Sequence, residues 1–398
     1  MSHPNIAVIG AKWRDGAGGG ATFEEDVLSA LFAHPLEQKL VMYPASAKLK
    51  TAVKESGMSE QVTLVKAIKD PRLPGRLLRR AGRFVRRRRA PLPFAALAAA
   101  VGKAGAQCAW VLGGSVTPLD MPYVATIRGI QHRMQPWFPE YGSGGVWRER
   151  ERLDEEYYRR AALVITGTAA GARELREAYG DCAGVVQVVP LPTPAFAIAA
   201  GMRPRGPRPT GVPPRYLFYP AAFAPHKNHV TAVQAVGALR SIAGAPHLVL
   251  TGADAGTMSH VMQEARALGI PDRVHSLGFV DRQRLIALYQ HAEALLYPAL
   301  SGPDNLPPLE AMALGCPVIA ARVSGADEQI GDAGVLVDPL DALGFATAVR
   351  SLRYDPEARD AMVERGRLRA RNWTSAQYVD TIISLINTRI GPIRALWP

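Results

Sequence analysis

Short apolar runs alternate with stretches whose apolar residues recur every three or four positions, and the rhythm persists along most of the chain. Ile6-Ala-Val-Ile9, Lys39–Tyr43, Trp110-Val-Leu112, Tyr123–Ile127, Leu163–Thr166 and Val185–Pro190 read as strands. Strands separated by helical patterns predict a parallel sheet covered by helices. Ala169–Gly180 reads as one such helix, stopped by its terminal glycine. From Pro192 the texture changes, and Pro, Gly and Arg dominate Gly201–Pro214. This stretch predicts a semi-rigid interdomain linker over 193–214.

The strand-helix rhythm then resumes. Arg215–Tyr219, His247–Gly252, Val274–Leu277, Ala294–Tyr297, Pro317–Ala320 and Gly334–Val337 read as strands. Leu343–Arg353 and Ser375–Arg389 read as helices. The expected α/β architecture is an N-terminal domain over 1–192, the linker, and a C-terminal domain over 215–374. A final helical segment over 375–398 is expected to pack back towards the N-terminal domain. Both domains read as doubly wound and Rossmann-like, and such sheets bind ligands at the carboxyl ends of their strands. The cleft between them is the expected site.

Composition agrees with a globular protein. The chain has 398 residues, 48% hydrophobic and 21% charged, enough for two cores. No apolar run approaches the length of a membrane span, and the chain enters its first strand almost at once, so neither a spanning helix nor a signal peptide is expected. Cys108, Cys182 and Cys316 lack metal-ligand or Cys-x-x-Cys spacing, which fits reduced thiols in the cytoplasm. The net charge of +12 is concentrated: eleven Lys or Arg residues and one acid, Asp70, lie between Lys66 and Arg89. An anionic surface or substrate would explain such a patch.

Ser301–Ala320 carries the most specific chemistry. It reads as a loop, a short helix bearing Glu310, a Gly-Cys-Pro turn and a buried strand. A carboxylate near a helix start, after a loop with free backbone N–H groups, suits a ligand with hydroxyls and negative charge, as in a sugar nucleotide. The plainer alternative is a helix-capping carboxylate.

Tyr219-Pro-Ala-Ala-Phe-Ala-Pro-His-Lys-Asn-His229 resembles the donor-phosphate loop of family 4 retaining glycosyltransferases of GT-B fold. Leu250-Thr-Gly252, Leu277-Gly-Phe-Val280, Ala294–Pro298, Gly302–Ala313 and Gly325–Gly334 follow in that family's order. The resemblance spans about 216 to 348 and is looser in the N-terminal half. It implies that Lys227 stabilises charge on the departing phosphate. Glu310 would receive the ribose hydroxyls as the second glutamate of a Glu-x7-Glu motif. The first glutamate is replaced by Gly302, and a usual phosphate-binding arginine by Ala222. The Gly-Pro-x-Asn-x-Pro-Pro-Leu-Glu variant resembles a recurring branch, in which Asn305 and Leu306 become donor-binding candidates. Glu328 is either a donor neighbour or a helix cap.

Asp15–Glu25 resembles the family's N-terminal glycine loop, with Gly19 and Gly20 as candidate donor contacts; it is neither a dinucleotide fingerprint nor a P-loop. After the strand Tyr123–Ile127, Arg128 and Gly129 replace the family's His-Asp pair, whereas Gln131, His132 and Arg133 remain. Arg128 and His132 are catalytic candidates, Arg128 as a possible phosphate ligand. There is no Asp-x-Asp pair, so no metal or other cofactor is expected. The resemblance implies same-face transfer of a hexose from a GDP- or UDP-linked donor to a glycan or lipid-linked acceptor, as in surface polysaccharide, lipopolysaccharide or glycolipid biosynthesis. The departures leave a second reading open: a lapsed transferase that binds a nucleotide sugar or glycan without turnover.

Pro74–Arg89 places Arg79, Arg83, Arg86 and Arg87 among others at helical spacing beside Leu77, Leu78, Phe84 and Val85. It reads as a basic amphipathic helix suited to an anionic membrane surface or acceptor, or as a solvated arginine-rich loop. Peripheral attachment at the cytoplasmic face of the inner membrane is the corresponding expectation. No nucleic-acid module accompanies the patch, and a nicotinamide-dependent dehydrogenase is disfavoured by the missing fingerprint.

Overall fold

The computed structural model describes residues 3–10, 19–68, 94–113, 118–180 and 186–393. The segment 69–93, with Arg79, Arg83, Arg86 and Arg87, lies outside the described residues.

Two parallel sheets organise the chain. The first has seven strands: β1 (Ile6–Ile9), β2 (Leu40–Tyr43), β3 (Val62–Leu64), β4 (Cys108–Val111), β5 (Tyr123–Ile127), β6 (Leu163–Thr166) and β7 (Val186–Val188). Their order is β3-β2-β1-β4-β5-β6-β7. The second has six: β8 (Tyr216–Pro220), β9 (His247–Thr251), β10 (Val274–Ser276), β11 (Ala294–Tyr297), β12 (Val318–Ala321) and β13 (Val335–Val337). Their order is β10-β9-β8-β11-β12-β13. The central strands β1, β4, β5, β11 and β12 are buried throughout. Their unbroken apolar runs follow from helices covering both faces.

The chain reverses its direction of strand addition between β1 and β4, and again between β8 and β11. Loops leaving those strands diverge and open a crevice. In the first sheet they lead to Gly19 and Gly20, at the start of the helix Gly19–Ala33, and to Gly113; Arg128 follows the neighbouring β5. In the second they carry Lys227 and Asn305.

The helix Ser375–Leu385 begins with a Thr374–Gln377 capping box. Tyr378 packs edge-on against Phe23, with ring centroids 5.6 Å apart, and lies 6.3 Å from Trp110. The chain's end therefore fills part of the N-terminal core. The helix does not run on to Arg389, because Ile386–Ile390 widens into a π turn. Other departures from the sequence reading are local. Ala195–Gly201, expected to be linker, is a helix beginning after Pro194. Its Ala-Phe-Ala-Ile-Ala-Ala sequence has the required propensity, and Gly201 lies against the Ala313 carbonyl, where a Cβ would clash. The three-residue strand β3 and the helix Pro356–Arg371 were not anticipated.

Candidate active site

Lys227 ends a single 3-10 turn, Pro225–Lys227, after β8. The next residue, Asn228, has φ 53°, and its side-chain amide donates to the carbonyls of Pro298 and Pro339 at 3.0 and 2.8 Å. These bonds fix the turn against the loops after β11 and β13. The Lys227 ammonium donates to the Tyr297 hydroxyl at 3.3 Å, which donates in turn to Asn305 Oδ1 at 3.0 Å. Asn305 is held by its own bond to the Gly302 carbonyl, 2.9 Å, and by Gln329 Oε1 accepting from its N–H, 2.9 Å. Lys227, Tyr297 and Asn305 thus form one positioned row at the second crevice. Tyr297 was not singled out from sequence, since a strand-end tyrosine reads as core.

Glu310 lies within the helix Leu306–Ala313, is buried, and accepts from the Tyr289 hydroxyl at 2.7 Å. Burial pushes its carboxyl up to about 7; the Tyr289 bond opposes this, Asp26 adds to it and Arg282 opposes it. Asp26, on the glycine-loop helix, is pushed up to about 6, again chiefly by burial, although the Ala195 N–H donates to it at 2.9 Å. Two acids from opposite domains therefore share a poorly hydrated place beside Arg282, whose guanidinium bonds Glu25 across the interface at 2.9 Å. An acid whose folded pKa is raised destabilises the fold as pH rises from its unfolded to its folded value. A rise from 4.5 to about 7 is worth roughly 3 kcal/mol. Glu310→Gln is expected to raise the ligand-free melting temperature at pH 8 and to change it little at pH 4. Melting curves at both pH values check this.

On the opposite wall, Gly19 and Gly20 open their helix against the other candidates. A Cβ at Gly19 would lie 3.3 Å from Leu306 Cδ1, and one at Gly20 would lie 2.9 Å from an Arg128 terminal nitrogen. The start of this helix therefore meets both Leu306 and Arg128. Arg128 also lies over the Phe23 ring, 5.8 Å from its centroid. Further bridges join the walls: Gln135 donates to the Leu300 carbonyl at 2.7 Å, Tyr141 and Ser301 hydroxyls are 3.3 Å apart, and Glu140 bonds the His226 ring and N–H. Burial and the neighbouring Lys227 lower the His226 pKa despite Glu140.

Two candidates fall elsewhere. His132 is wholly buried in the N-terminal domain, with Nε2 3.1 Å from Glu151 and 3.3 Å from the Tyr179 hydroxyl. Burial first, and Arg150 second, lower its pKa against the pull of Glu151. Its ring is packed and bonded within its own domain as a structural strut, not at the Lys227 row. Glu328 is a helix cap, but of a helix in the other domain. Its two oxygens accept from Ala169 N at 2.6 Å and Ala170 N at 2.8 Å, capping the first turn of the other domain's helix Ala169–Tyr179. That turn has free N–H groups and a positive dipole end, which suit a carboxylate. Removing such a contact costs on the order of 1 kcal/mol. Glu328→Ala should accelerate amide exchange at Ala169 and Ala170 roughly 10-fold, measured by hydrogen–deuterium exchange.

Beside this latch, the interface encloses a cavity of about 390 Å³ bordered by Gly167, Thr168, Asp304, Arg369 and Trp373. Among the described residues no cluster of three or more His, Cys, Asp or Glu side chains has metal-binding geometry, and no helix is long and apolar enough to cross a membrane.

The residues of the second crevice lie in a stretch with known relatives. Residues 206–369 match the family model Glycosyl transferases group 1. Glycogen synthase of Mycobacterium tuberculosis (strain ATCC 25618 / H37Rv) is 30% identical to the chain over 255 residues, 63% of this chain and 59% of that protein. The chain thus spans less than two thirds of that relative's length. Sucrose-phosphate synthase of Thermosynechococcus elongatus superposes with a TM-score of 0.68 at 18% identity, covering 98% of this chain and 100% of that one. Anabaena HepE, solved in complex with UDP-glucose, superposes with a TM-score of 0.65 at 16% identity, covering 96% and 99%. The architecture is GT-B: two Rossmann-like domains, with Lys227, Asn305, Leu306, Glu310 and Glu328 all inside the matched stretch.

Proposed function

We propose that the chain is a retaining, metal-independent glycosyltransferase. It moves a hexose from a UDP- or GDP-linked donor to a glycan or lipid-linked acceptor in surface polysaccharide or glycolipid assembly. The observation that carries this reading is the Lys227–Tyr297–Asn305 row. It holds an ammonium at the strand-switch crevice of the stretch that matches Glycosyl transferases group 1, where a nucleoside diphosphate would depart. Glu310 suits the ribose diol, and the helix starting at Gly19 provides the facing wall. The bond from the sugar's anomeric carbon to the β-phosphate oxygen breaks as the acceptor oxygen bonds that carbon from the same face. The acceptor proton passes to the departing phosphate, and Lys227 stabilises the charge developing there. The ammonium supplies the positive charge that a metal ion would otherwise bring.

Acceptor class and membrane attachment rest on the arginine-rich run at 76–89, whose charge suits the cytoplasmic face of an anionic membrane. The reading is tested by incubating the protein with UDP-, GDP-, ADP- and dTDP-sugars, following diphosphate release and the anomeric proton of the product by NMR. Release from one donor with retained configuration is the expected result. Binding without release would mark a lapsed transferase, and an inverted product would overturn the mechanism.

A further inference from the structure

Asp304 has a singular environment. It projects from the loop after β11 into the interface, so close to β6 that a Cβ on Gly167 would fall 1.9 Å from its Oδ2. Both carboxylate oxygens are cut off from solvent, and neither has a hydrogen-bond partner. The buried Tyr378 hydroxyl, on the helix returning to the N-terminal core, has the Thr126 side chain as a polar neighbour. Arg128 completes the group: its charge acts on both Asp304 and Tyr378. It also acts on the buried Glu24. Buried polar atoms left unpaired cost free energy, so the two Asp304 oxygens at the domain interface point to a ligand that pairs them.

The charges specify that ligand's chemistry. Burial pushes the Asp304 carboxyl up to about 7 although the Arg128 charge pulls the other way, so near neutral pH both its forms are populated. An ammonium would be repelled by Arg128. A hydroxyl pairs with both neighbours in either case, accepting from the guanidinium while donating to the carboxylate or accepting from the carboxylic acid. We propose that Arg128 and Asp304, with the Tyr378 hydroxyl, grip hydroxyl groups of a sugar between the domains. Asp304 would thereby supply the carboxylate that Gly302 lacks. The proposal rests on the transferase reading and assigns Arg128 to a sugar rather than a phosphate. The sugar is either the one transferred or the acceptor.

The test uses the full chain and the variants Asp304→Asn, Arg128→Gln and Arg128→Lys. UDP with UDP-glucose, and GDP with GDP-mannose, are titrated calorimetrically, and free mono- and disaccharides are assayed as acceptors. If the donor sugar is gripped, intact donor binds the wild type at least 10-fold more tightly than its diphosphate. Asp304→Asn and Arg128→Gln each erase that margin, and the double variant is no worse than the worse single one. If the acceptor is gripped, donor affinity is kept and the acceptor KM rises at least 10-fold. In both cases diphosphate affinity stays within twofold of wild type, and Arg128→Lys recovers part of the loss. Variants that change neither quantity overturn the proposal, as does loss of diphosphate affinity in Arg128→Gln, which would make Arg128 a phosphate ligand. Failure of the wild type to bind any diphosphate would overturn the transferase reading, and this proposal with it.

Discussion

Lys227→Ala is expected to lower the rate of sugar transfer by a factor of about 100 to 1,000, with a smaller loss of diphosphate affinity. The ammonium's value grows as the glycosidic bond breaks, because charge accumulates on the bridging oxygen only then. Removing one preorganised donor from a developing oxyanion costs roughly 3–4 kcal/mol. In the ground state the diphosphate keeps its other contacts, and loss of one charge-assisted bond costs about 1.5–3 kcal/mol. The half-buried Lys227 side chain leans on Tyr297, with the ammonium 5.7 Å from that ring's centroid, so its removal leaves the fold intact. Steady-state kinetics and calorimetry on the variant check both numbers. Equal loss of rate and binding would mean that Lys227 holds the ground state alone.

The second large effect is on stability. Glu151 accepts from Arg133 Nε at 2.8 and 2.9 Å, bonds its terminal nitrogen as well, and lies 3.1 Å from His132 Nε2. Burial opposes ionisation of Glu151, but the Arg133 and His132 bonds outweigh it and hold its pKa below the usual range. Glu151→Ala leaves the enclosed imidazole with Tyr179 at 3.3 Å and Asp154 at 3.6 Å, and strips the Arg133 guanidinium of its carboxylate while it keeps the Ala178 carbonyl. Breaking such a network by removing one partner should cost roughly 3 kcal/mol, lowering the N-terminal domain's melting temperature by roughly 6–12 °C. Calorimetric unfolding checks the shift. A catalytic role for His132 would instead reduce turnover with little change in melting.

The two-sheet architecture was legible because its signals are local. Each strand of the second sheet is a short apolar run with a turn after it. Lys227, Asn305 and Glu310 sit in contiguous motifs whose order is itself informative. Local pattern says less where long-range packing decides. His132 resembles a catalytic histidine until Glu151, nineteen positions on, folds over it. Glu328 becomes a latch only because another domain's helix starts beside it. Asp304 acquires meaning from Arg128 and Tyr378, which belong to distant segments, and no spacing rule connects the three. The helix Ala195–Gly201 was obscured by the prolines flanking it.

The central claim is that the cleft holds a nucleoside diphosphate at Lys227. It is tested most directly by calorimetric titration of the wild-type protein and Lys227→Ala with UDP, GDP, ADP and dTDP. Saturable one-to-one binding of one diphosphate, weakened roughly 10- to 100-fold in the variant, is the predicted result. Binding of equal strength in both proteins, or no binding by either, would contradict it.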